Sequence, residues 1–348
     1  MSHLPPRIDV HSHFLPPDYS QALASNGHSK PDGMPAIPPW STSAHLEMMS
    51  LCNVTKSILS ISSPGTHLVP GNDKLARDLT RYCNSYAAGL KKEHPDKFGF
   101  WASLPLSNVE DALKEIDLTV EENCDGFGLM TNYYGEYIGS QAFDRVFERL
   151  NDIGATVFIH PTKPCIKCGE NKVEKVDATP FGDQYPIPLF EFFFDTARAV
   201  INLFSSGTVE RCPNITFIVP HSGGCLPPLF SRFTGFSHVI PGGRPLETDD
   251  VWRQIREQFY FDLAGFVFDG KSGGSGQLKA FVQGYDIPYQ TLLYGSDFPF
   301  TPAQFVRQFA DRMKDGLDHL FDEKERSEIY EGNAVALLEK GRQKRVVL

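Results

Sequence analysis

Ile8-Asp9-Val10-His11-Ser12-His13 reads as an apolar strand that ends in two histidines. Residues two apart on a strand share a face, so His11 and His13 aim two imidazoles at one point. Imidazole is a common ligand of divalent metals. A single His-x-His also has an ordinary structural explanation, and the rest of the chain decides between the two. Three further β-rich runs carry a polar residue at the end. The run 156–160 ends in His160, the run 215–221 ends in His221, and the run 291–298 carries Asp297.

Working outward, eight such runs are found, at 7–14, 56–62, 97–104, 126–131, 156–160, 215–221, 259–264 and 291–298. Several are near-continuous apolar stretches, as expected of parallel strands buried on both faces. Helical periodicity fills the gaps. Leu75, Leu79, Tyr82, Cys83, Tyr86 and Leu90 share one face of a helix that Asn72 is suited to cap. The stretches 107–122, 141–151 and 189–206 read as helices too. The last holds Phe190, Phe192, Phe193 and Phe194, a density that implies more than one packing partner. Eight β/α alternations predict an α/β fold, a (β/α)8 TIM barrel forming one domain over 1–348. A doubly wound sheet is the alternative. In a barrel, the C-terminal ends of strands one, five, six and eight open on one mouth. His11, His13, His160, His221 and Asp297 would meet there. Buried polar groups are costly without partners, and a divalent cation would partner all of them.

Taken singly, each residue has a plainer reading. His160 could be a satisfied core histidine, His221 a cap on its glycine-rich turn, and Asp297 a turn residue before Pro299. His67 follows the second strand and is a further candidate for the mouth. His3, His28, His94 and His238 are expected to face solvent, and His45 lies in a helix. The stretches 16–40 and 161–188 follow strand ends and read as insertions at the C-terminal face, either lids or surface loops.

Composition narrows the function. Of 348 residues, 41% are hydrophobic, enough for a large core. The net charge is −10, from 33 Lys and Arg against 43 Asp and Glu, which argues against nucleic acid or an anionic membrane as partner. No apolar run reaches the ~18 residues of a membrane span. The N-terminus lacks the form of a secretory signal, so a cytoplasmic location is expected. Seven scattered cysteines suit free thiols. Cys165 and Cys168 form one CxxC pair, either an ordinary thiol pair or a soft metal or redox site.

The set His11-x-His13, Ile159-His160-Pro161, His221-Ser222-Gly223-Gly224, Gly295-Ser296-Asp297-Phe298-Pro299 and Gly332-Asn333-Ala334 resembles the aminocarboxymuconate-semialdehyde-decarboxylase-like branch of the amidohydrolase superfamily. The resemblance runs from about residue 7 to about residue 340 and is specific as an ordered set. It implies one divalent metal, zinc or manganese, held by His11, His13, His160 and Asp297. It implies that His221 serves as acid/base or electrostatic partner. It also implies a homodimer in which Arg232 reaches the site across the interface. The plainer reading of Arg232 is a surface arginine. The chemistry implied is non-oxidative decarboxylation of a small aromatic carboxylate, with Asp297 as proton carrier and His221 beside it. Phe192, Phe298 and Phe300 are candidate walls for a flat ring, each with simple core packing as the alternative. The stretches 29–35, 60–65 and 98–105 are similar to members acting on 6-methylsalicylate, which implies conversion to m-cresol and carbon dioxide. Salicylate, a dihydroxybenzoate and isoorotate stay open as substrates. Hydrolysis of a lactone or amide at the same metal and a non-catalytic metal-binding protein are the rival functions.

Overall fold

In a computed structural model, which describes residues 3–169, 174–239, 241–265 and 276–346, the eight runs become eight parallel strands of one sheet. They are β1 (Arg7–His13), β2 (Val54–Ser60), β3 (Phe98–Ser103), β4 (Gly126–Met130), β5 (Thr156–His160), β6 (Thr216–Val219), β7 (Phe259–Asp262) and β8 (Leu292–Leu293). Each strand lies beside the next in chain order, from β1 through to β8. The segment after β8 returns to β1. Val10 N–H donates to Tyr294 O (3.0 Å), His13 N–H to Phe298 O (2.7 Å), and Asp297 N–H to His11 O (2.8 Å). These bonds bring the last strand end against the first, and the sheet is a nearly closed barrel.

Helices follow the strands and cover the outer face. The helix Asp73–Glu93 begins where the sequence places it: Asn72 accepts from Leu75 N–H at 3.1 Å. Such a cap contributes about 1 kcal/mol. Ala76, Leu79, Cys83, Ala87 and Leu90 form its buried stripe. Inside the barrel, Ile8, Val10, Ile58, Trp101, Phe158, Ile218 and Leu293 form one apolar cluster. Ala334, Leu337 and Leu338 of the helix Asn333–Val346 pack into it. Phe158 joins this core to the site, since its ring stands edge-on to His11 at 4.9 Å.

Three features differ from expectation. The eighth strand is two residues long, where a run over 291–298 was predicted. Beyond it, Asp297 has φ 58°, a left-handed conformation that extended pairing does not accommodate. In β1, Asp9 pairs with Ser57 while Ser12 pairs with Leu59, three residues against two. The extra residue is a bulge, and it re-aims the side chains that follow. The insertion 161–188 contains an antiparallel hairpin, Cys165–Cys168 with Glu174–Asp177. Cys165 and Cys168 are three apart on a strand, so they point to opposite faces. One is buried and the other half-buried with Sγ near Glu174, a geometry that argues against a shared soft site. Among the described residues, no helix is long and apolar enough to cross a membrane.

Candidate metal centre

Three histidines converge where the strand ends meet. His11, His13 and His160 are all buried, and one ring nitrogen of each lies within 4.8 Å of the others. What fixes their aim is the opposite edge of each ring. His11 Nδ1 lies 3.0 Å from Asp262 Oδ2. A carboxylate can only accept, so Nδ1 carries the hydrogen and Nε2 keeps its lone pair. His160 Nδ1–H donates to Pro161 O at 2.7 Å in the same way. His13 Nδ1 lies 2.9 Å from Ser60 Oγ, and that hydroxyl donates onward to Ser12 O at 3.1 Å. The Ser60 oxygen therefore accepts from His13, and a third Nε2 lone pair is left facing inward. Hydrogen bonds of this kind on the far nitrogen are how metal-binding histidines are usually oriented.

Asp297 completes the centre. Its Oδ1 lies 3.2 Å from His13 Nε2 and 3.7 Å from His11 Nε2, and its Oδ2 lies 4.0 Å from His221 Nε2. Burial holds His160 well below the usual imidazole range, and it lowers His13 against the pull of Asp297. Burial also opposes charge on His11, but there Asp262 and Asp297 prevail and the shift is upward. Asp297 stays far below the ordinary carboxylate range; burial pushes it up, and the facing His13 and His221 rings, with His11 nearby, overcome this. The result is a half-buried carboxylate facing lone pairs, with His11 Nε2 left without a hydrogen-bond partner. Such an arrangement calls for a cation. Three imidazole nitrogens and one carboxylate oxygen form a fitting donor set for a single divalent ion.

The residues around this centre come from the strand ends and the inserted loops. A cavity of about 100 Å³ opens over it, lined by His160, His221, Asp297, Phe192 and Phe300, with Asp32 and Met34 opposite. Phe300 stands edge-on to His13 at 5.5 Å, and Phe192 edge-on to His160 at 6.2 Å.

A family model described as amidohydrolase matches residues 8–340, nearly the whole barrel. The chain belongs to the amidohydrolase family. Within it, this amidohydrolase falls in the aminocarboxymuconate-semialdehyde-decarboxylase-like branch. It is 34% identical over 309 residues to a 6-methylsalicylic acid decarboxylase of Penicillium expansum, with 88% of each chain covered. A crystal structure of an amidohydrolase II superposes with a TM-score of 0.81 at 31% identity, covering 96% of this chain and 99% of the other. A dihydroxybenzoic acid decarboxylase from Polaromonas sp. JS666, solved with manganese and 2-nitroresorcinol, shares the fold at a TM-score of 0.76 and 18% identity, covering 96% and 97%.

The structure thus clusters His11, His13 and His160 of the amidohydrolase and sets His160, His221, Asp297, Phe192 and Phe300 around one cavity. It does not bring Phe298 there. The left-handed turn at Asp297 sends that ring into the core, edge-on to His45 at 5.1 Å. Arg232 is also elsewhere. It is exposed on the helix Phe230–Ser237, with its guanidinium over the Phe236 ring at 4.6 Å. His67 lines a neighbouring cavity instead of the metal centre. The four phenylalanines of 190–194 divide as their spacing suggests. Phe192 is at the cavity and Phe193 lies against His221 at 5.3 Å, while Phe190 and Phe194 are exposed.

Sequence reasoning missed Asp262, Ser60 and Asp9. Asp262 Oδ1 accepts from His221 N–H and Ala264 N–H while its Oδ2 holds His11, so one carboxylate ties three strand ends together. Asp9 Oδ1 accepts from Ser296 N–H and His11 N–H; burial pushes its carboxyl up to about 7. The signal was present in Phe259-Tyr260-Phe261-Asp262, an apolar run ending in a carboxylate like the runs that end in histidine.

Proposed function

We propose that this amidohydrolase is a metal-dependent decarboxylase that removes carbon dioxide, without oxidation, from 6-methylsalicylate, giving m-cresol. The coarser statement, a carboxy-lyase acting on an aromatic acid, is carried by the family branch and the relatives. The finer one rests on the Penicillium expansum enzyme and on the small ring-lined cavity. The observation that carries the chemistry is Asp297, a half-buried carboxylate shared between the histidine cluster and the open cavity.

Loss of carbon dioxide from a ring requires a proton at the carbon that bears the carboxylate. The carbon–carbon bond then breaks, its electron pair returns to the ring, and aromaticity is restored. His11, His13, His160 and Asp297 would hold a divalent ion, zinc by the donor set or manganese as in the Polaromonas enzyme. When bound, that ion supplies Lewis-acid chemistry and a point of attachment for a carboxylate with its ortho hydroxyl. In this reading Asp297 relays to the ring carbon a proton drawn from solvent through the open cavity and is again a carboxylate when carbon dioxide leaves, and the 4.0 Å approach of His221 Nε2 to Oδ2 supports His221 as its electrostatic partner. Phe192 and Phe300 hold the ring flat. Aromatic contacts of this kind add about 0.5–1.5 kcal/mol beyond burial.

The functional unit is a homodimer in this reading, and Arg232 meets the substrate carboxylate of the partner subunit. Support comes from the exposure of Arg232 together with Phe236, Val239, Phe190 and Phe194, apolar groups that a second copy would cover. The test is carbon dioxide release from a panel of ortho-hydroxylated aromatic acids, with metal-analysed protein before and after chelation. Metal-dependent release from 6-methylsalicylate is expected. Ring opening of a lactone without any carbon dioxide would transfer the site to hydrolysis.

A further inference from the structure

Beside the metal cavity lies a larger one, of about 340 Å³ against about 100 Å³. Small-ligand sites commonly start near 300 Å³. The two share a single lining residue among those described, Asp32. The wall between them is built from hydrogen bonds. Ser63 Oγ and Thr162 Oγ1 pair at 2.8 Å, both buried, and Asp32 lines both cavities. Thr162 N–H in turn donates to Thr131 Oγ1 at 3.1 Å. The loops after β2, β4 and β5 are thereby tied to one another. The larger cavity is a compartment of its own, bounded by a fixed partition.

Its lining suits one kind of ligand. Lys30 and Lys163, both exposed at its rim, supply two ammonium groups; Lys163 is paired with Asp177, and Asp32 is the second carboxylate of the lining, which leaves Lys30 as the cation for an entering anion. Tyr134 and His67 meet edge to face at 5.0 Å and give it an aromatic side, and Ile187 adds apolar surface. Neither ring nitrogen of His67 meets a hydrogen-bond partner, although both are buried. Two of the lining residues, Asp32 and Tyr134, hold φ 52°, which is uncommon for any residue other than glycine and most unusual for a bulky one. Strain of this kind gathers where a binding site dictates the backbone. The Tyr134 hydroxyl is tied to His67 O at 3.0 Å, which keeps the strained ring in position.

We infer that this cavity is a second, metal-independent binding site for an aromatic carboxylate. The ring lies against Tyr134 and His67, and the carboxylate is met by Lys30 and Lys163. That the ligand belongs to the same class as the substrate rests on the decarboxylase reading above. The site holds the acid beside the metal cavity and apart from it.

The test uses salicylate as probe, its fluorescence and equilibrium dialysis reporting the equivalents bound per full-length chain. Metal-loaded protein is expected to bind two equivalents and chelated protein to retain one, with circular dichroism confirming that the fold survives. His11→Ala provides a second metal-free form. The double variant Lys163→Met with Tyr134→Gly is expected to weaken the chelation-resistant equivalent by at least about tenfold, a loss of about 1.4 kcal/mol. Glycine accepts the backbone conformation at 134, and Lys163→Met alone serves if the pair does not fold. The site is refuted if no equivalent survives chelation in a folded chain, or if the surviving one is indifferent to these changes. Carbon dioxide release is followed in parallel. Release with no surviving equivalent removes this site and leaves the reaction. A surviving equivalent without release from any acid removes the reaction and leaves the site.

Discussion

His13 Nε2 and Asp297 Oδ1 face each other at 3.2 Å across the barrel mouth, from the first strand and from the turn after the last. With His13 Nδ1–H committed to Ser60, no hydrogen remains on His13 to bridge that gap while the ring is neutral. Burial lowers the affinity of His13 for a second proton. The pair is therefore arranged for a cation other than a proton, and the first prediction concerns how it is held.

Replacing His13 with alanine removes a donor and should abolish metal binding and carbon dioxide release together. Asp262→Asn is the more informative variant, because Asp262 touches the metal only through His11. It should weaken metal affinity by about 10–100-fold, as loss of such orienting partners does. Metal titration followed by calorimetry measures this. An unchanged affinity would show that Asp262 serves the backbone N–H groups of His221 and Ala264 and not the ligand.

Asp297→Asn keeps the shape and removes the ability to carry a proton. It should lower turnover by about 10²–10⁴-fold, the range of a positioned acid or base. Part of the metal should remain, since three imidazoles are untouched. Single-turnover carbon dioxide release with metal analysis separates the two effects. Normal turnover would eliminate Asp297 as the proton carrier.

The cluster of His11, His13 and His160 was readable in the sequence because each stands at the end of an apolar run, and the barrel turns strand ends into neighbours. Of the residues that orient them, Asp262 obeys the same rule and Ser60 does not. Ser60 is one serine among several in Ser57-Ile58-Leu59-Ser60, and its use depends on the register of β2 against β1. Phe298 was misplaced because its direction depends on a left-handed residue just before it, and no periodicity announces the φ of Asp297. Arg232 could be located only in sequence, since the role proposed for it depends on a second chain.

Asp32 gives a pH prediction away from the ligands. Burial pushes its carboxyl up to about 6 from 3.8. The folded chain thus binds this proton more tightly than the unfolded chain does. The contribution is fully present below about pH 4 and is lost as pH rises through about 6. Asp32→Asn keeps the shape without the titration and tolerates φ 52°, as asparagine does. Wild type and variant should be equally stable near pH 4, with the variant gaining up to about 3 kcal/mol above pH 6, an upper bound set by ~1.4 kcal/mol per pKa unit. Urea unfolding at a series of pH values checks this. A constant difference across the range would place the raised carboxyl elsewhere.

Arg232 lies on the surface of its own chain, so its use by the site depends on a partner. Arg232→Ala should raise KM for the acid, because a guanidinium–carboxylate contact is lost, and should leave metal content unchanged. That result alone would not distinguish a trans contribution from an indirect one within the chain. Mixing does. An Arg232→Ala chain has an intact metal centre, and an Asp297→Asn chain has an intact arginine. Co-refolded or exchanged subunits of the two variants would form a mixed dimer with one complete site, metal from the first chain and arginine from the second. At low substrate concentration, where both parents are nearly inactive, the mixture should release carbon dioxide well above the sum of its parts. Additive activity in a mixture shown by native mass spectrometry to contain mixed dimers would confine Arg232 to its own surface.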